Sequence, residues 1–164
     1  TALCIAAGTG HEAVVRLLLQ NGANVDTAAT GSSGHSSNAL HAAARQGYEG
    51  VVCLLLDSGA DVHAIDSHGC TALSEAAYNG HESVAQLLID QGANVHVRNS
   101  KGFTALSEAA SQSNKSVAQL LINQGANALR SGAFGSNALC LAAAEGYAKI
   151  VQLLLSKGAN PRSQ

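Results

Sequence analysis

Glu75 and Glu108 occupy the same place in two nearly identical stretches, Ala72-Leu-Ser-Glu-Ala-Ala77 and Ala105-Leu-Ser-Glu-Ala-Ala110. On neighbouring packed helices the two carboxylates would stand about 10 Å apart. That is near the separation at which one acid protonates a leaving group while the other activates water. Repetition of the text accounts for the pair without any reaction, so the glutamates are expected as an acidic element with Arg45 and Glu145 beyond them. His68 and Cys70, with His35, supply three side chains of types that bind zinc, but their spacing fits no finger, and they are expected as surface residues with no metal assigned. Cys4, Cys53, Cys70 and Cys140 contain no Cys-x-x-Cys pair. Cys4 and Cys140 fall in equivalent places four repeats apart, ~40 Å by the same helix spacing and far beyond disulfide reach. The four are expected as core thiols in a reducing compartment. Gly8-Thr-Gly10 and Gly31-Ser-Ser-Gly34 lack the Lys-Ser/Thr of a phosphate-binding loop, and no strand pattern precedes them. Asn114-Lys-Ser116 matches a glycosylation sequon, but nothing at the start resembles a secretory signal. Neither a catalytic group nor a cofactor is expected.

These residues are placed by one repeated unit, read most clearly from Thr71 to Gly92. Its start recurs as Thr1-Ala-Leu, Asn38-Ala-Leu, Thr71-Ala-Leu, Thr104-Ala-Leu and Asn137-Ala-Leu, at steps of 37, 33, 33 and 33 residues, and each copy closes on Gly-Ala. A period near 33 signals stacked helix pairs that bury a core between neighbours. The sequence thus predicts an all-α helix-pair solenoid with short hairpin connectors. It forms one domain over residues 1–164, with repeats at about 1–26, 27–65, 66–98, 99–131 and 132–164.

Within a unit, the leading Thr or Asn is an N-cap for a short Ala-rich helix, about 39–46, 72–79, 105–112 and 138–145. The Ala-Ala pairs let neighbouring pairs approach closely. Gly10, Gly47, Gly80 and Gly146 end that helix in the left-handed region, and second helices begin near Glu12, Glu49, Glu82, Lys115 and Ala148. Their apolar residues recur at i, i+3 and i+4, as Val84, Leu87 and Leu88 show, so one face is buried. Asp66-Ser-His-Gly69 predicts a hairpin-like turn. Copy four carries Ser113-Asn114 where copy three has Gly80-His81; a non-Gly residue forced into the left-handed region costs on the order of 1 kcal/mol, partly relieved if Asn114 takes it, and this repeat should be the softest. The connector 27–37 is four residues longer than its counterparts, rich in Gly and Ser, and expected as a mobile tip.

With nine Lys and Arg against eleven Asp and Glu, all scattered, the chain has no basic stripe to track phosphates, and nucleic acid is not an expected ligand. No apolar run approaches the roughly 18 residues of a membrane span. A cytoplasmic, or alternatively nuclear, location is expected. Neither end has a convincing polar cap: Leu3, Ile5, Val14, Leu17 and Leu18 at one end, and Leu139, Ile150, Leu153 and Leu154 at the other, follow the internal pattern. The chain is therefore expected to be a segment of a longer protein, a monomer to which end-to-end association is open.

Asp66-x-x-Gly69-x-Thr71-x-Leu73, Gly80-His81, Val51-Val-x-Leu54-Leu-Leu56 and Gly59-Ala-Asp-Val62 recur in register, and on these the chain resembles the ankyrin repeat family over its whole length. It departs from the family's Thr-Pro-Leu-His in having Ala for Pro in every copy and His only at His41; Cys4, Ser74, Ser107 and Cys140 stand elsewhere. The resemblance implies a non-catalytic module that binds another protein on a concave face of hairpin tips and first helices. Carried onto this sequence, that face takes Arg45, Gln46, Tyr78, Asn79, Ser111, Gln112 and Glu145 from helix ends, and His35, His68, Lys101, Phe103 and Phe134 from tips. Arg45, Tyr78, Phe103 and Phe134 are the expected anchors, since aromatic and Arg side chains dominate interface energies. The alternative is a passive scaffold with no dedicated ligand.

Overall fold

The computed structural model describes residues 1–30, 36–127 and 137–161. His35 and Phe134 therefore lie outside the described residues. Among those described, ten α-helices form five antiparallel pairs: α1 (Ala2–Gly8) with α2 (Glu12–Gln20), α3 (Ala39–Gln46) with α4 (Glu49–Asp57), α5 (Ala72–Asn79) with α6 (Glu82–Asp90), α7 (Ala105–Ser111) with α8 (Lys115–Asn123), and α9 (Ala138–Ala144) with α10 (Ala148–Ser156). First helices pack on first helices and second on second, each against its immediate neighbours.

The first helix of every pair starts as its N-cap residue dictates. Thr1, Asn38, Thr71, Thr104 and Asn137 each accept the backbone N–H of the third helical residue at 3.0 to 3.4 Å. Thr71 gains a reciprocal bond, its own N–H donating to Ser74 Oγ at 2.8 Å, which closes a capping box. The Ala-Ala pairs at 43–44, 76–77 and 109–110 are fully buried, so small side chains set the distance between pairs. Second helices contribute Val15, Val52, Leu55, Leu88, Leu121 and Leu154 to the same continuous core.

At Gly47 two demands meet. Its φ of 78° is left-handed, and a Cβ there would lie 2.5 Å from the His81 ring of the next pair. His81 Nε2 is 3.0 Å from the Arg45 carbonyl, pairing a helix-end oxygen that has no partner within its own helix. One pair later Asn114 takes over this work, its Nδ2 donating to the carbonyls of Ala77 and Tyr78 at 2.9 and 2.8 Å. Asn114 is thereby committed across the junction. The left-handed position falls to Ser113, with φ of 61°, so the relief that Asn114 would have given there is not realised.

In the connector between the first two pairs, the tip expected to be mobile, residues 31–35, lies outside the described residues, and the segments on either side of it are paired. Ala29–Thr30 (β1) pairs antiparallel with Ser36–Ser37 (β2), with Ala29 opposite Ser37 and Thr30 opposite Ser36. The turn at Asp66 forms as read: Asp66 N–H donates to the Cys70 carbonyl at 2.9 Å, and Gly69 is left-handed at φ 74°. Tips then bond to tips, Ser67 N–H to the Ser36 carbonyl at 3.0 Å and Ser100 N–H to the His68 carbonyl at 2.8 Å.

Candidate functional site

Two tips are shaped by equivalent side chains. Asp66 Oδ1 accepts the N–H groups of His68 and Cys70, both at 2.8 Å, and Asn99 Oδ1 accepts those of Lys101 and Phe103, both at 3.0 Å. Asn99 also donates through Nδ2 to Glu108 Oε1 at 2.8 Å, tying a tip to the first helix behind it. Between α3 and α5, Arg45 meets Glu75 as a fork, Nε to Oε2 at 2.9 Å and Nη2 to Oε1 at 3.0 Å. These elements enclose one side of an open cleft of about 480 Å³. Arg45, Glu75, Tyr78 and Glu108 form its wall of first-helix residues, with His68, Cys70, Asn99 and Lys101 on the tip side.

The electrostatics of the cleft are set by burial and by three acids facing two bases. Burial pushes the Glu108 carboxyl up and the nearby Glu75 adds to this, while Lys101 and the Asn99 amide oppose it. Burial, reinforced by the charges of Asp66, Glu75 and Glu108, pushes the Cys70 thiol up to about 11 despite a contact from the Asn99 amide. Behind the cleft, His41 bridges two repeats, with Nδ1 2.6 Å from Asn38 Oδ1 and Nε2 2.9 Å from the Cys70 carbonyl. Burial lowers its pKa and the Arg45 charge adds to this; the Cys70 carbonyl, Asp66 and Glu75 pull the other way.

Asp66, Cys70 and Glu75 bring potential ligand atoms within 4.8 Å of one another. Their state does not favour a cation: Glu75 is already neutralised by the bidentate Arg45, and the thiol stays protonated at neutral pH. Cys70 thus stands with Asp66 and Glu75, with His68 lining the same cleft; His35, the third member of that reading, lies outside the described residues. The paired-carboxylate reading fares similarly. Glu75 and Glu108 do line one open recess, but one is locked to Arg45 and the other to Asn99.

Of the expected binding residues, Arg45, His68, Tyr78 and Lys101 share the cleft. Tyr78 and Lys101 are exposed, and Arg45 is half-buried in its ion pair, so it is a wall of the cleft more than a free anchor. Gln46, Asn79, Gln112 and Glu145 are exposed at or just beyond first-helix ends, Asn79 donating back to the Glu75 carbonyl at 2.9 Å. Ser111 is half-buried and caps its own helix through the Glu108 carbonyl, and Phe103 is half-buried beside the Asn99 turn. The sequence reading did not single out Asn99 for the site. Its equivalence to Asp66, 33 residues earlier, was the available signal. The expectation of four core thiols needs correcting. Cys140 is exposed and Cys4, Cys53 and Cys70 are half-buried, because the position of Cys4 and Cys140 is covered only where another pair stacks over it.

Helix pairs stacked in one direction, linked by hairpin tips and recessed on the flank where tips meet first helices, define a helical solenoid. The family model described as ankyrin repeats (3 copies) matches residues 1–66, 38–99 and 73–164, which together take in the whole sequence. The chain belongs to the ankyrin repeat family. No curated protein matches it. Ankyrin repeats are in general protein–protein interaction modules, and the family is generally non-catalytic. No helix among the described residues is long and apolar enough to cross a membrane.

Proposed function

We propose that this chain is a protein-recognition module, part of a larger regulatory or sensor protein, that grips a partner polypeptide on the flank formed by first helices and tips. The observation that carries the reading is the convergence of Tyr78, His68, Lys101 and the Arg45–Glu75 pair on one open recess. An exposed aromatic ring beside charged groups of both signs is the composition in which binding energy concentrates. Gln46, Asn79, Gln112 and Glu145 extend the same flank. The four free thiols accord with a reducing compartment, and the cytoplasm is the proposed location.

Arg45 is a poor probe of this reading, because its removal strands the Glu75 carboxylate and disturbs the junction between repeats. Tyr78→Ala and Lys101→Ala are better, since both side chains are exposed. Immobilised wild-type chain should retain a partner that the double variant loses, while Glu82→Ala, on an exposed second-helix position, retains it. Equal retention by all three proteins would overturn the reading in favour of a passive scaffold.

A further inference from the structure

The repeat makes each junction between first helices a control for the next. A position in the last turn of one first helix faces a position in the first turn of the following one; at the first junction a Cβ at Gly8 would lie 3.5 Å from the Cβ of Ala42. Along the chain the matched positions hold Gly8 with Ala42, Arg45 with Glu75, Tyr78 with Glu108, and Ser111 with Leu141. The first and last of these carry no charge. The second is the two-point ion pair, Nε to Oε2 at 2.9 Å and Nη2 to Oε1 at 3.0 Å. The third keeps the acid and lacks the base. Half-buried Glu108 gives Oε1 to the Asn99 amide at 2.8 Å, and among the described residues it forms no ion pair. Lys101 bears on it from an exposed tip without pairing. Tyr78, standing where Arg45 stands one repeat earlier, is 46% exposed and lines the same open cleft of about 480 Å³.

We propose that the partner polypeptide supplies the missing base: an arginine side chain that enters the cleft over Tyr78 and forks onto Glu108 as Arg45 forks onto Glu75. The inference rests on the recognition reading above and names the side chain that is recognised. The chain's own precedent favours arginine over lysine, since a two-point contact needs a planar group with paired N–H donors, and that same planar cation stacks on an aromatic face. A carboxylate offers about four acceptor sites, of which the Asn99 amide uses one at Glu108. Burial pushes the Glu108 carboxyl up and Glu75 adds to this, so a cation seated there offsets a cost the fold already carries. An acidic ligand is disfavoured: Asp66, Glu75 and Glu108 outnumber Arg45 and Lys101 around the cleft, and Arg45 is already held by Glu75.

Titration of the isotope-labelled chain with N-acetyl-arginine methylamide, up to tens of millimolar and followed by amide chemical shifts, tests it, with the citrulline and glutamate analogues as neutral and acidic controls. The arginine probe should give saturable shifts at the amides of Tyr78, Asn99, Lys101 and Glu108, and the controls should not. Glu108→Gln keeps an oxygen for Asn99 and should weaken binding about tenfold, the worth of one charge-assisted pair. Tyr78→Leu, which removes the ring face, should weaken it about threefold. Tyr78→Arg lets the chain fill the slot itself and should abolish binding. Circular dichroism checks folding, and if one variant unfolds the others decide. Probe binding that is absent, that either control equals, or that survives unchanged in Glu108→Gln or Tyr78→Arg would overturn the proposal. A partner lost by Tyr78→Ala/Lys101→Ala but fully retained by Glu108→Gln would overturn the arginine alone and leave the recognition reading standing.

Discussion

His41 shows how a single residue can be spent on structure in a chain whose chemistry looks promising on paper. Neutral imidazole can donate through only one nitrogen, yet both of its nitrogens face oxygens in a buried site, and burial keeps its pKa below the ordinary value of about 6.5. A base with a lowered folded pKa takes up its proton more readily when unfolded. Its contribution to stability is therefore complete above pH ~6.5 and is lost as pH falls through the folded value. His41→Ser copies what Ser74 and Ser107 do in the next two repeats. It should lower the melting temperature at pH 7, through loss of the bond to the Cys70 carbonyl, and should flatten the fall in melting temperature between pH 7 and 5. An unchanged slope would contradict the assignment. The thiols give a second test at this scale. Cys140 is exposed while Cys70 is held protonated by burial and three acids, so iodoacetamide at pH 8 should modify Cys140 first and Cys70 last, as followed by peptide mass spectrometry.

At the scale of the element, the helix pair was legible almost to the residue. Cap identity, Ala-Ala spacing and turn glycines are local signals, and the second helices begin at Glu12, Glu49, Glu82, Lys115 and Ala148 as their pattern indicates. What could not be read locally was where a side chain reaches across a junction. That Asn114 would not relieve the left-handed turn was hidden because its duty, the Ala77 and Tyr78 carbonyls, lies 37 and 36 residues away. Arg45 looked like a free anchor because nothing in its own repeat reveals Glu75, 30 residues on. The pair α7–α8 carries the cost of both sequence changes: Ser113 is left-handed without being glycine, and Lys115 replaces the acidic residue that opens α2, α4 and α6, against the helix dipole. Ser113→Gly should raise stability by about 1 kcal/mol in denaturant titrations. A loss on that substitution would mean the left-handed conformation is not the native one.

The whole molecule has no single centre. Its core is a row of junctions, each made of buried alanines, interdigitated second-helix apolar residues and cross-repeat bonds from His41, His81 and Asn114. This arrangement leaves one side of the first helices, where the tips meet them, open to solvent, and the recess with the exposed Tyr78 lies there. The period of 33 residues made this architecture readable before any contact was seen. The cleft was only partly readable, because its walls come from three repeats and its depth depends on how Asn99 and Arg45 spend their bonds. Stability supplied by neighbours alone must be uneven along the row. Native-state hydrogen exchange across all ten helices tests this most directly. Protection should be greatest in α3 to α6, fall toward α1–α2 and α9–α10, and be lower in α7–α8 than in the closely matched α5–α6. Uniform protection from end to end, or protection highest at the ends, would contradict it.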